Sequence, residues 1–264
     1  MSTRAWFPLL LGAALALALA FLVLPVVAIF THTAPGRLIS SLGDPATTDA
    51  LRLSLETTTI ALAVIVAVGT PAAYLLATRS FRGRSVVTTL VELPLVLPPA
   101  VAGIALLASV GPSGILGGVL GRTLVLNTAA VVVALTFVSA PFYVRQAQSS
   151  FGAVDRSLIE ASRTLGSSEA ASFVRVVVPV ALPGLIAGLA LAWGRALGEF
   201  GATLMFAGSF RGITQTVPLA IYDQFTSDFP AALALSAILV AVSGGVLLAV
   251  KLIPGQAALG RAGR

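Results

Sequence analysis

The most polar stretch of this chain is residues 155–179, which lies between two strongly apolar blocks. Its charged side chains are Asp155, Arg156, Glu160, Arg163, Glu169 and Arg175. Carboxylates and guanidiniums on short surface helices form charge-assisted hydrogen bonds with a partner of opposite charge. The chemistry expected here is therefore contact with another protein.

The spacing within residues 155–179 predicts two short amphipathic helices joined by a glycine. Asp155 caps the first helix, Gly166 ends it in a left-handed conformation, and Ser167 or Ser168 caps the second. The expected apolar faces are Leu158, Ala161, Ser162 and Leu165 in the first helix, and Phe173, Val176, Val177 and Val180 in the second. We call residues 155–179 the elbow. The alternative is an amphipathic loop lying on the membrane surface.

A second group of ionisable residues lies inside apolar blocks. Arg195 and Glu199 are four residues apart, so they can pair on one face of a helix. Ionisable groups within a membrane span are costly when unpaired and usually face the interior of the bundle. The candidate residues of a polar pathway are Arg195, Glu199, Thr203, Glu92 and Pro98. The alternative for Arg195 and Glu199 is a pair that serves packing alone.

Several kinds of chemistry are excluded by residue types. The only lysine, Lys251, precedes Leu252, so the chain has no Walker A loop of the Gly-Lys-Ser/Thr kind. The only histidine, His32, lies in a predicted loop, and there is no cysteine. We predict no catalytic residue, metal site or cofactor, and therefore no enzyme.

Composition indicates a membrane protein. The chain of 264 residues is 57% hydrophobic and only 10% charged, far from the quarter of charged residues that soluble domains contain. Its formal net charge of +6 is explained by basic loops, so no nucleic-acid partner is implied.

The apolar blocks predict an all-α protein with about six membrane spans. The spans are expected at residues 7–30, 51–77, 86–109, 128–146, 180–206 and 231–253, joined by loops at 31–50, 110–126 and 207–230. The first block is too long for a cleavable signal peptide. The third contains Pro94, Pro98 and Pro99, which predict a kinked or broken helix. Paired glycines at 184 and 188, and at 194 and 198, favour close helix packing.

Basic residues predict the orientation. Eleven fall on the side of the elbow and both termini: Arg4, Arg79, Arg82, Arg84, Arg145, Arg156, Arg163, Arg175, Lys251, Arg261 and Arg264. Four fall on the other side: Arg37, Arg52, Arg122 and Arg211. The positive-inside rule therefore places the elbow and both termini in the cytoplasm.

The elbow resembles the EAA signature of ABC importer permease subunits. Glu160, Ala161 and Ser162 are followed by Gly166 and then by an apolar pair ending at Pro179. Only Ser162 departs from the signature, which has alanine there. The resemblance implies that these five residues form a coupling helix that inserts into a cleft on a separate ATPase subunit.

Residues 194–208 and 214–222, together with residues 92–99, resemble the molybdate branch of these permeases. The resemblance implies a type I permease with a single domain over residues 1–264 and a core at about 50–253. It further implies a multi-pass protein of the cell membrane, a second permease copy, a cytoplasmic ATPase dimer and an external oxyanion-binding protein.

The expected function is the import of an oxyanion, and the expected substrate is molybdate. Sulfate and tungstate remain alternative substrates. Two alternatives come from other classes of protein. One is a stand-alone secondary transporter with Glu92 or Glu199 relaying protons, and the other is a membrane scaffold without transport. A secondary transporter would not need an elbow that docks on an ATPase.

Overall fold

The computed structural model describes residues 6–118 and 124–252, and these residues are helical with connecting turns. The helices are α1 (Trp6–His32), α2 (Pro35–Gly43), α3 (Pro45–Thr78), α4 (Arg84–Val96), α5 (Pro99–Val110), α6 (Thr128–Gly152), α7 (Arg156–Thr164), α8 (Glu169–Ser172), α9 (Val178–Leu197), α10 (Gly201–Ala207), α11 (Val217–Ser227) and α12 (Phe229–Leu252). A π-helical turn, Phe173–Val177, joins α8 to α9. The predicted all-α membrane fold is confirmed. The basic residues Arg4, Arg122, Arg261 and Arg264 lie outside the described residues.

Helices α3 and α6 form the centre of the bundle and run in the same direction. The Thr70 hydroxyl lies 2.7 Å from that of Tyr143, and further along both helices the ring centroids of Tyr74 and Phe151 are 5.5 Å apart. Contacts that advance together along two helices require the helices to be parallel. The chain must therefore cross the membrane once between them.

The helix pair α4 and α5 makes that crossing. The two helices meet at a bend of 119°, with Leu97 ending α4 and Pro98 preceding α5. Pro99 begins α5, where its missing N–H removes no helical hydrogen bond. The predicted break in the third span is thus confirmed. Together with five long apolar helices, the bent pair brings the crossings to six.

The fifth span differs from the prediction at both ends. It is continuous from Glu169 to Leu197, so the second elbow helix is the beginning of the span and not a separate helix. The span then stops at Gly198, and α10 follows as a separate short helix. The expected boundaries of this span, residues 180–206, were therefore wrong. At the second end the reason is that hydropathy stays high through the turn at Gly198, where the buried side chain of Glu199 bonds to the backbone of Ala202.

Two of the predicted loops contain helices. The expected loop at 31–50 forms α2 and the first turn of α3, because Pro35 and Pro45 each occupy the beginning of a helix and Asp44 caps α3. The expected loop at 207–230 contains α11, which begins with Pro218 in its first turn. The fourth span extends beyond residue 146 to Gly152.

The paired glycines behave differently. Gly184 and Gly188 lie against Ser150 and Gln146, so α9 packs closely on α6 as predicted. A Cβ at Gly194 would meet nothing within 4 Å. One at Gly198 would meet only the carbonyl oxygen of Gly194, at 3.5 Å, and no residue of another helix. The packing interpretation is wrong for this second pair within the described protomer.

Candidate coupling elbow and membrane-embedded charges

The elbow begins with the predicted cap. The Asp155 carboxylate accepts a hydrogen bond of 2.9 Å from the backbone N–H of Ser157, at the beginning of α7. Hydrogen bonds from the Ser157 backbone and side chain stabilise the ionised form and lower the pKa of Asp155. The cap fixes where the first elbow helix starts.

The turn after α7 has the geometry of a Schellman motif. Gly166 has φ of 88°, its N–H bonds to the Arg163 carbonyl at 3.0 Å, and the Ser167 N–H bonds to the Ser162 carbonyl at 3.1 Å. The predicted left-handed glycine is confirmed. Of the two candidate caps for the next helix, Ser168 accepts the hydrogen bond, from the N–H of Ala171 at 3.2 Å.

Ser162, which stands where the resembled signature has alanine, joins the two halves of the elbow. Its hydroxyl oxygen lies 3.0 Å from that of Ser172, which is buried. Alanine at position 162 would lack this hydrogen bond. The sequence indicated only that the residue is small.

The apolar face predicted for α7 is mostly exposed. Leu158 and Leu165 both face solvent, Leu165 with 87% of its surface accessible, and Glu160 and Ala161 are exposed beside them. On the second half of the elbow, Val177 is buried, but Val180 is exposed and does not extend the buried face as predicted. An exposed face of carboxylate, small and apolar residues is the surface that a partner protein would cover.

Two contacts attach the elbow to the ends of α3 and α6. Arg79, just after α3, forms an ion pair with Glu169 at the start of α8. The rings of Tyr74, Phe151 and Phe173 pack together with centroid distances of 4.6 to 5.9 Å. These contacts join elements distant in the chain, so sequence reasoning singled out neither of them.

The π-helical turn ends at Val177, two residues before Pro179. The N–H of Val178 bonds to the carbonyl of Phe173, five residues earlier, instead of four. Because Pro179 has no N–H to donate, a wider turn at this point adapts the backbone to the proline. The last residue of the predicted signature therefore lies within the fifth span, just after the π-helical turn.

Arg195 and Glu199 pair within the bundle. The Nη2 of Arg195 lies 2.5 Å from Oε2 of Glu199, whose side chain is only 1% exposed. The other carboxylate oxygen accepts a hydrogen bond of 2.7 Å from the N–H of Ala202. Glu199 thus holds Arg195 with one oxygen and the beginning of α10 with the other, which explains the break in the fifth span.

The remaining pathway candidates are Thr203, Pro98 and Glu92. Thr203 is fully buried, and its hydroxyl has no hydrogen-bond partner among the described residues. Pro98 lies at the bend between α4 and α5. Glu92 pairs with Arg145, with its Oε1 3.3 Å from the Arg145 Nε. The described contacts pair Glu92 with Arg145, and they place Gly201, two residues after Glu199, against Pro99, the neighbour of Pro98.

Six membrane crossings and an exposed elbow at one end define an integral membrane protein. A family model described as a binding-protein-dependent transport system inner membrane component matches residues 69–253. The chain belongs to this family, and it is a multi-pass permease component of a transport system.

Relatives extend the similarity over most of the chain. The molybdenum transport system permease protein ModB of Mycobacterium tuberculosis is 43% identical over 235 residues, covering 87% of this chain and 88% of that protein. The probable transport system permease protein NifC of Clostridium pasteurianum is 37% identical, covering 88% and 82%. The molybdate/tungstate permease WtpB of Pyrococcus abyssi is 33% identical, covering 90% and 91%.

Solved structures support the fold. A bacterial ABC transporter that imports alginate contains a chain with a TM-score of 0.75, 16% identity and 94% coverage of both chains. The methionine transporter MetNI gives a TM-score of 0.63 at 21% identity, covering 77% of this chain and 92% of that one. The fold is that of an ABC importer permease, as the sequence predicted.

Proposed function

We propose that this chain is the membrane-spanning subunit of an ATP-driven importer of molybdate. The main support is the 43% identity to a permease named for molybdenum transport, which extends over 87% of this chain. The exposed elbow with its left-handed Gly166 is the matching structural feature. We further propose that residues 1–264 form a single permease domain.

The ATP would be hydrolysed by another chain. The only lysine is followed by Leu252, so no Walker A loop is present here. The proposed complex contains two copies of this permease, two copies of a cytoplasmic ATPase, and an external protein that delivers the anion. The family description, which refers to binding-protein-dependent transport, supports the last of these partners.

The proposed coupling surface comprises Glu160, Ala161, Ser162, Gly166 and Pro179. Exposed Glu160 provides a carboxylate for a basic group of the ATPase, and Ala161 permits close approach. Gly166 sets the angle between the halves of the elbow. Because Glu169 to Leu197 is one continuous helix, movement of the elbow would be transmitted directly into the fifth span.

The proposed orientation places the elbow in the cytoplasm, with both termini on the same side of the cell membrane. Seven arginines lie on the elbow side of the described residues: Arg79, Arg82, Arg84, Arg145, Arg156, Arg163 and Arg175. On the opposite side lie Arg37, Arg52 and Arg211, all in ion pairs with acidic residues. The positive-inside rule supports this assignment.

Within the membrane, we assign Arg195 and Glu199 a bracing role beside the pathway. Glu199 is too deeply buried and too fully bonded to repel or relay an ion. Thr203, with a hydroxyl that has no partner among the described residues, provides a neutral donor for a pathway. This assignment also disfavours a proton-relaying role for Glu199.

The test is uptake of radiolabelled molybdate by proteoliposomes containing the permease with its ATPase and loaded binding protein. ATP-dependent uptake that excess sulfate does not compete with is the expected result. Tungstate is the second candidate substrate, because the Pyrococcus abyssi relative is named for both anions. Uptake without ATP, or uptake of sulfate in preference to molybdate, would contradict the proposal.

A further inference from the structure

A polar groove of about 340 Å³ lies between α4 and α6 on the elbow side of the bundle. Its polar lining consists of Arg84, Thr88 and Glu92 from α4, and Arg145, Gln148 and Ser149 from α6. Residues four apart share one face of a helix, and so do residues 145, 148 and 149. Two polar stripes therefore face each other across the groove.

The groove extends along α4 and α6 away from the elbow. Glu92 lies eight residues beyond Arg84, the start of α4, which corresponds to about 12 Å along the helix axis. Arg145 lies seven residues before Gly152, the end of α6, or about 10 Å. The innermost charges of the groove are thus well inside the ends of the spanning helices.

These charges are accessible despite their depth. The side chain of Arg145 is 61% exposed and that of Glu92 is 32% exposed. Charged groups facing hydrocarbon are strongly unfavourable, so this face borders water or a polar surface rather than lipid. The pair differs from Arg195 and Glu199, where the carboxylate is buried and both of its oxygens are bonded.

We propose that this groove is an anion-binding site on the cytoplasmic half of the translocation pathway, and that it takes a tetrahedral divalent oxyanion. The guanidinium of Arg145 binds the oxyanion, Arg84 at the elbow end of the groove attracts it, and Thr88, Gln148 and Ser149 offer neutral donors. This inference rests on the proposed import of molybdate.

Glu92 makes the site reversible. Two guanidiniums and one carboxylate give the groove a net positive charge, which attracts a dianion. Glu92 already occupies the Nε of Arg145, so an arriving anion must compete with it. A pathway site has to release its ion as well as bind it, and a competing carboxylate prevents tight capture.

The first experiment measures whether water and oxyanion reach the groove. The chain has no natural cysteine, so Thr88→Cys introduces one thiol, and Leu90→Cys is the matched control on the opposite, exposed face of α4. In inside-out vesicles containing the complete transporter, we expect a charged thiol reagent to modify Thr88→Cys in the groove. It should not modify Leu90→Cys, because we expect that apolar face of α4 to contact lipid. Molybdate should slow the modification of Thr88→Cys several-fold.

A lipid phosphate presents the same tetrahedral oxyanion chemistry at the inner leaflet. The labelling is therefore compared in phosphatidylcholine vesicles with and without phosphatidylglycerol. Protection by molybdate in phosphatidylcholine alone supports the pathway site. Protection that depends on phosphatidylglycerol and not on molybdate would assign the groove to lipid headgroups and overturn the proposal.

The second experiment measures transport. We expect Arg145→Gln to reduce ATP-dependent molybdate uptake by about tenfold, the effect of losing one charge-assisted hydrogen bond. Glu92→Gln should lower the maximal rate without changing the half-saturating concentration of loaded binding protein. Arg82→Gln, an exposed arginine outside the groove, is the control and should transport normally.

A variant that assembles poorly must be distinguished from one that assembles but does not transport. The double variant Arg145→Gln, Glu92→Gln removes both members of the ion pair, so neither is left without its partner. The thermal stability of each purified complex is compared with that of the parent. If the parent transports no oxyanion, the proposed function fails. If the parent transports molybdate while Arg145→Gln is equally active and Thr88→Cys is unprotected, the groove proposal alone fails.

Discussion

Arg79 and Glu169 lie 90 positions apart in the sequence and form an ion pair that attaches the second half of the elbow to the end of the second span. The pair is half-exposed, so it contributes little to global stability. Its position suggests a different importance. It joins the elbow to α3, the helix that packs against α6 at the centre of the bundle.

We predict that Arg79→Glu weakens coupling by placing two carboxylates next to each other. ATPase activity of the complete transporter should then lose its stimulation by loaded binding protein, while the permease still inserts and assembles. The charge-swapped double variant Arg79→Glu, Glu169→Arg should recover much of the stimulation. Equal stimulation in the parent and the single variant would show that the pair plays no part in coupling.

Gly166 is predicted to be essential for its conformation and not for its size. A Cβ at this position would meet nothing within 4 Å, but φ is 88°. A β-branched residue is unfavourable there by about 1–2 kcal/mol or more, whereas asparagine adopts this conformation more readily. Gly166→Val should impair ATPase association in pull-down, and Gly166→Asn should largely preserve it. Normal uptake by Gly166→Val would contradict the coupling role of the elbow.

The Arg195–Glu199 pair predicts an asymmetry between two neutralising substitutions. Arg195→Gln leaves the buried carboxyl group of Glu199 without its partner, and breaking a buried pair costs about 3–5 kcal/mol in comparable cases. Glu199→Gln keeps an oxygen that accepts from the Ala202 N–H. The melting temperature of the purified permease should therefore fall more for Arg195→Gln, and the double Gln variant should recover part of the loss. Equal melting temperatures would refute the bracing role.

Close contact between α5 and α10 predicts a strong effect of one methyl group. A Cβ at Gly103 would lie 2.7 Å from the Ala202 carbonyl oxygen and 2.6 Å from the Met205 Cβ. We expect Gly103→Ala to destabilise the permease by about 1–3 kcal/mol. Gly194→Ala is the control, since nothing lies within 4 Å of that position in the protomer. Unfolding in denaturant should separate the two variants.

The orientation is testable because the chain has no natural cysteine. Ser40→Cys on α2 and Arg82→Cys in the turn between α3 and α4 are both exposed, on opposite sides of the bundle. An impermeant thiol reagent should label Ser40→Cys in intact spheroplasts and Arg82→Cys only after permeabilisation. The reverse pattern would place the elbow outside the cell and contradict the proposed import mechanism.

Features that depend on neighbouring residues could be read from the sequence. The Asp155 cap and the Gly166 turn are formed by hydrogen bonds between residues no more than five positions apart. The proline run at 94–99 similarly predicts the bend of the third span, since proline disrupts helices locally. The number of spans follows from hydropathy, because about 20 apolar residues are needed to cross the bilayer.

Features that depend on distant residues were decided only by the tertiary structure. Many charges could have paired with Glu169 or Glu92, and only packing selected Arg79 and Arg145. The break after Leu197 is invisible to hydropathy, because apolar residues continue beyond it. It exists because the buried carboxylate of Glu199 bonds to the N–H of Ala202, which turns the backbone and starts a new helix.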